Sequence, residues 1–173
     1  MSASLLSVRA APLSAEAFAP FGDVVSAGLG TSRGWSANQG TAVRFDWCAK
    51  LFNGRAHARP NLAVYRSVPL PAPVALRLLE RHPHSTQTFL PMIAARYLVC
   101  VAPAAAGGGP DLDGLRAFVC LPGQGVSYAA GTWHHPIVAL DSPAEFAVLV
   151  WEDGTAADCE EQPLARPVLV ELG

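Results

Sequence analysis

Two histidines stand side by side in "GTWHHPIVAL", residues 131–140, after a tryptophan and before a proline, inside an apolar run. Imidazole binds divalent ions as a neutral ligand and moves protons near neutral pH. On a strand, adjacent side chains point to opposite faces. His134 and His135 therefore cannot both look into one interior. A second cluster, "ERHPHSTQ" at residues 80–87, surrounds His82 and His84 with Glu80 and Gln87. Carboxylate, amide oxygen and imidazole form a mixed nitrogen and oxygen donor set. Such a set suits nickel, manganese, iron(II) or zinc and is too hard for copper(I). Eleven arginines against one lysine, Lys50, suit recognition of small carboxylates.

Groups so scattered along the chain must be gathered by the fold. At 173 residues the chain is long enough to bury a core. Half the residues are apolar and only 15% are charged, which excludes a disordered chain. Fifteen glycines and fifteen prolines cut the sequence into short pieces, the pattern of an all-β fold with many turns. Strands are predicted at "DVVSA", "TAVRFDW", "NLAVYRSV", "TQTFLPM", "RYLVCVA", "LRAFVCL", "GVSYA", "PIVAL" and "EFAVLVWE". Ser14 is placed to cap a short helix over "AEAFA", and "PVALRLLER" has apolar residues at helical spacing. The small-residue stretch "APAAAGGGPDLDG" falls inside the strand pattern, so it reads as a loop. Residues 1–173 are expected to form a single domain, an all-β barrel or sandwich with a few short helices. Among these, jelly rolls and cupin-type barrels enclose room for a small ligand.

The bulk numbers also exclude partners. A net charge of −2 with one lysine leaves no basic surface for nucleic acid. No apolar run is long enough to span a membrane as a helix. The opening "MSASLLSVRAAPL" lacks the basic start and apolar core of a secretory signal. Cys48, Cys100, Cys120 and Cys159 have no C-x-x-C spacing, so free thiols in a reducing cytoplasm are expected.

Gly123, Ala129, Gly131 and His134 are spaced as in the second cupin signature, G-x5-P-x-G-x2-H-x3-N. Ala129 stands where proline is usual, and Val138 where asparagine is usual. The spacing selects His134, not His135, as the ligand. The first signature, G-x5-H-x-H-x(3,4)-E-x6-G, accepts Glu80, His82, Gln87 and Ala94 in one register. Glu80 then takes the first histidine position and Gln87 the glutamate position. His84 lies too close to Gln87 and is left out. Glu80, His82, Gln87 and His134 are the resulting metal candidates, with a net charge of −1.

Several segments together resemble the ureidoglycolate lyase family, once called ureidoglycolate hydrolase. They are "FGDVV", "NQGTAVRF", "ERHPHSTQTFLPM", "LRAFVCLPGQGVSY", "GTWHHP" and "DCEE", running in order from about residue 12 to residue 162. His84 is a departure, since leucine is usual there. The resemblance implies a cupin-like jelly-roll barrel and a homodimer. It implies cleavage of (S)-ureidoglycolate to glyoxylate and urea in allantoin and purine catabolism. It favours nickel among the divalent ions.

That reaction asks three things of the residues. The carbinol hydroxyl must lose a proton, the C–N bond must break, and urea must leave protonated. His134 and His82 are assigned to catalysis with the metal. His135 is the candidate for proton transfer if a bulge turns it inward. Arg44 and Arg66, both on predicted apolar strands, are candidates for the substrate carboxylate. Asn38 and Gln39 are candidates for the urea end. Two other readings fit the same residues: an amidohydrolase releasing ammonia, and a cupin that only binds a small metabolite.

Overall fold

The computed structural model describes residues 6–29 and 33–173. The first five residues of the N-terminal stretch, and residues 30–32, lie outside these. The strands are Ser7–Arg9 (β1), Ala11–Pro12 (β2), Gly22–Val25 (β3), Trp35–Ala37 (β4), Ala42–Arg44 (β5), Arg59–Ser67 (β6), Val74–Arg81 (β7) and Gln87–Ile93 (β8). They continue with Tyr97–Ala102 (β9), Arg116–Cys120 (β10), Gly125–Tyr128 (β11), Trp133–His134 (β12), Val138–Ala139 (β13), Ala144–Glu152 (β14) and Glu160–Glu171 (β15). One helix, Ala15–Phe18 (α1), is capped by Ser14, whose hydroxyl accepts from the Ala17 amide. Asn38–Gly40 is a single 3-10 turn.

Two sheets face one another. One runs β1-β15-β7-β12-β9-β10-β2, with β13 also on β9; the other runs β3-β11-β8-β14-β6. A jelly-roll barrel is the result: all-β, as the turn-rich sequence requires. Between the sheets lie Phe18, Phe21, Phe89, Tyr97, Phe118, Tyr128 and Phe146, with Val99, Val101 and Val148. The rings meet edge-on, for example Tyr97 on Phe146 with centroids 5.0 Å apart. That geometry sets positive ring edges against negative ring faces.

The strand β9 is buried on both faces. Tyr97, Val99 and Val101 enter the core between the sheets. Leu98, Cys100 and Ala102 enter a second core with Val74, Leu76, Leu79, Trp133, Val168 and Val170. Continuous hydrophobicity, rather than alternation, is the sequence mark of such a strand.

The segment "PVALRLLER", read as helical, is the strand β7. Its pairing with β15 jumps between Pro163 opposite Leu78 and Val168 opposite Leu76. The irregularity breaks the two-residue period. The residues buried on β7 become Val74, Leu76 and Leu79, a spacing that imitates a helix. Past the jump, Leu79 goes to the second core, so alternation turns Glu80 into the barrel interior.

Gly22 joins β3 to β11, pairing with Tyr128. Its φ is +148°, and a Cβ there would lie 2.0 Å from the Ser127 carbonyl oxygen. Gly22→Ala should therefore cost about 2 kcal/mol or more in chemical denaturation. Gly107→Ala, where an added Cβ meets nothing within 4 Å, should leave the midpoint within about 0.5 kcal/mol of the parent.

Candidate active site

β12 decides which histidine faces in. Trp133 lies opposite Ala102 and joins the second core, so His134 turns to the interior, opposite Val101 on one side and Glu80 on the other. After His134 the regular pairing with β9 is interrupted for three residues and resumes at β13. His135 sits in that interruption, half-buried. Its amide donates to the Cys100 carbonyl and its ring Nδ1 is 2.7 Å from the Pro136 carbonyl oxygen.

Glu80, His82 and His134 converge, with one donor atom from each lying within 4.8 Å of the other two. His134 Nε2 is 3.5 Å from Glu80 Oε1, too long for a good hydrogen bond. The turn before β12 ties the two histidine segments together, because the Gly131 amide donates to the His82 carbonyl at 2.8 Å. The His134 and His82 rings stack with centroids 5.8 Å apart, and Tyr128 stacks on His134 at 4.1 Å.

Both ring orientations are set from behind. His82 Nδ1 is 2.8 Å from the Asp158 carbonyl oxygen, and His134 Nδ1 is 2.9 Å from that of Thr132. A carbonyl only accepts, so each Nδ1 carries the hydrogen and the neutral ring presents an Nε2 lone pair. Metal-binding histidines are commonly oriented by such a backbone carbonyl. The Asp158 carbonyl is held in turn. Its carboxylate accepts from the Asp153 and Gly154 amides and from Arg55, which also pairs with Asp153 at 3.0 Å.

Four buried polar atoms on His82, His134 and the facing pair Gln87 and Tyr128 have no hydrogen-bond partner within the chain: His82 Nε2, His134 Nε2, Gln87 Oε1 and Tyr128 Oη. Gln87 lies opposite Tyr128 in register, so the two share the interior face. Leaving such atoms unpaired costs about 1–3 kcal/mol each. A bound ligand or ordered water would satisfy them. Two imidazoles and a carboxylate at this spacing can hold a divalent metal.

The charges agree with that use. Burial opposes ionisation of Glu80, but His134, His82 and His135 outweigh it and hold the carboxyl below its usual range. Burial, joined by His134, pushes His82 down, and burial pushes His135 down. Tyr128 is pushed well up by burial, so its phenol remains a hydrogen-bond donor.

The other sequence candidates lie elsewhere in the lone chain. Arg66 is on the outer face of β6, paired with Glu145 at 2.7 Å and 80% exposed. Asn38, Gln39 and Arg44 are exposed on the hairpin formed by β4 and β5, which pair with each other and with no other strand among the described residues. His84 is exposed and outside the triad. Sequence reading missed Tyr128 and the Arg55–Asp158 support. Tyr128 alternates with Val126 like any core aromatic. The Asp158 contribution is a main-chain carbonyl, which no side-chain pattern reports.

The chain matches the family model described as Ureidoglycolate lyase over residues 5–171. A ureidoglycolate lyase from Burkholderia cepacia is 44% identical over 158 residues, covering 91% of this chain and 86% of that protein. One from Chelativorans sp. (strain BNC1) is 38% identical over 165 residues, covering 95% and 96%. Among solved structures, a dTDP sugar isomerase from Desulfovibrio desulfuricans G20 shares the fold at a TM-score of 0.50 and 14% identity. The match covers 83% of this chain and 85% of that one.

Calorimetric titration with Ni²⁺ should find one site per chain. Glu80→Gln, His82→Ala and His134→Ala should each weaken it by about tenfold or more. His84→Ala should stay within about twofold. An equal loss at His84 would place the site elsewhere.

Proposed function

Because the chain belongs to the ureidoglycolate lyase family, we propose that it cleaves (S)-ureidoglycolate to glyoxylate and urea in allantoin and purine catabolism. The observation that carries this reading is the set of unpaired buried donors and acceptors on His82, His134, Gln87 and Tyr128. It is polar, with the Tyr128 ring stacked on His134, which suits a substrate rich in oxygens.

Glu80, His82 and His134 would hold a divalent ion, with Gln87 Oε1 as the fourth donor. Nickel is the first choice, and zinc, manganese and iron(II) suit the same donors. When bound, the ion supplies a Lewis acid that lowers the pKa of a coordinated hydroxyl. The remaining work belongs to side chains. Tyr128 donates a hydrogen bond to a substrate oxygen. His135, with Nδ1–H turned to the Pro136 carbonyl, keeps an Nε2 lone pair to accept the carbinol proton. The O–H bond breaks, the aldehyde C=O forms, and the C–N electron pair leaves on urea, which takes up the proton. No water is consumed.

We further propose that the working unit is a homodimer, in the cytoplasm, with no nucleic-acid or membrane partner. No helix among the described residues is long and apolar enough to cross a membrane. The four cysteines are free. Burial pushes the Cys120 thiol up to about 12, which keeps it unreactive and suits a reducing compartment.

Product analysis tests the reaction. Urea and glyoxylate should appear in equal amounts above spontaneous decay, with no ammonia. Ammonia in place of urea would point to an amidohydrolase. His134→Ala should abolish turnover while circular dichroism stays unchanged, and near-normal turnover would remove the site. Activity should stay level above pH 6.5, the ordinary histidine value, because His82 and His135 titrate below it. Below their lowered values both rings gain protons, and activity should fall.

A further inference from the structure

The interior face of β6 carries polar groups that the reaction has not yet used. Leu62 and Val64 point outward, so alternation turns Asn61, Ala63 and Tyr65 to the inside. Asn61 lies opposite Val150, Val150 opposite Gln87, and Gln87 opposite Tyr128. Residues directly opposite on paired strands share a face. One row of side chains therefore crosses the interior, from the tyrosine stacked on His134 to Asn61. β6 is the last strand of its sheet, and Asn61 is exposed, so this end of the row meets solvent.

Asn61 is already oriented. Its Nδ2 donates to Glu152 Oε2 at 2.7 Å. Glu152 continues the inward alternation of Phe146, Val148 and Val150 along β14. The bond fixes the amide and leaves two acceptors, Asn61 Oδ1 and Glu152 Oε1, with no partner among the described residues. Two acceptors side by side suit a group that carries two N–H bonds.

Tyr65 supplies a donor on the same face. Its ring meets Phe89 edge-on at 5.8 Å, Phe89 meets Tyr128 at 6.0 Å, and Tyr128 stacks on His134 at 4.1 Å. That run of contacts ties Tyr65 to the triad. Burial, then Glu80 and Glu152, push its phenol up, so the hydroxyl keeps its proton. A carboxylate at the triad and one beside Asn61 thus both bear on this phenol.

A terminal ureido group has the complementary pattern: an –NH2 with two donors, and a carbonyl acceptor. We propose that Asn61 and Glu152 accept from the terminal –NH2 of the substrate's ureido group while Tyr65 donates to its carbonyl. The inference rests on the ureidoglycolate reading for its substrate, whose hydroxyl end faces the triad. As the C–N electron pair leaves, charge spreads onto the ureido oxygen, and a donor there eases the departure of urea.

Binding is tested with two stable compounds that differ only at the group in question. N-carbamoylglycine ends in –NH2, and N-acetylglycine ends in methyl. Calorimetry on the Ni²⁺-loaded parent should give N-carbamoylglycine a Kd about tenfold or more below that of N-acetylglycine. Fully closed polar sites discriminate more strongly, but water reaches this pair when it is unfilled. Asn61→Ala and Glu152→Ala should each bring the ratio to about twofold or less, with the affinity for N-acetylglycine unchanged. Arg66→Ala, on the outer face of the same strand, should keep the parent ratio. In turnover of ureidoglycolate, Tyr65→Phe should lower kcat about tenfold.

An unchanged ratio in the Asn61 and Glu152 variants would overturn the proposal. So would an equal loss of affinity for both compounds, the mark of a purely structural role, or a parent that binds neither or fails to distinguish them. If the parent distinguishes them as expected but does not cleave ureidoglycolate, the reaction reading falls and the ureido subsite stands.

Discussion

The structure turns on one cross-strand pair, His134 on β12 opposite Glu80 on β7. A carboxylate and an imidazole cannot be placed in an apolar barrel unless something answers their polarity. The fold answers part of it from behind, with the Thr132 and Asp158 carbonyls on the two Nδ1 atoms. The front is left open toward the interior. Hence the tyrosine stacked on His134, which supplies a donor where apolar packing alone would supply none.

How far the supporting layer reaches is seen at Asp158. Its loop could present a carbonyl in many orientations. Two backbone amides and Arg55 grip its carboxylate, and Asn53 holds Arg55 in place through the main chain on both sides. The imidazole of His82 is thus oriented by residues from two other stretches of sequence, 53–55 and 153–158. A guanidinium buried to this degree is costly unless its charge is met, and the paired aspartates meet it. Its worth lies in fixing a ring, more than in stability.

Much of this was readable beforehand. Short apolar runs between turn residues marked most of the strands, glycine spacing singled out His134, and the spacing of the first cupin signature picked Glu80 and His82, which the fold brings to His134. The departures have physical causes. β7 looked helical because a pairing irregularity with β15 shifted its buried positions off the two-residue period. Arg66 read as an inward arginine because its neighbours are apolar, but those neighbours, Leu62 and Val64, are themselves outward and exposed. Arg44 sits on an apolar strand for the same reason. Apolar composition tells that a strand wants covering, and leaves open whether its own chain supplies the cover.

β9 has a consequence for how the protein comes apart. Its two faces belong to different cores, and its backbone bonds to β10, β12 and β13. Neither core can open while the other stays shut, since the shared strand would have to be both in place and displaced. Its amides should therefore exchange with solvent only through the global transition. Any sub-global opening must then leave this strand in place, so the wall behind His134 stays still while other parts of the barrel breathe.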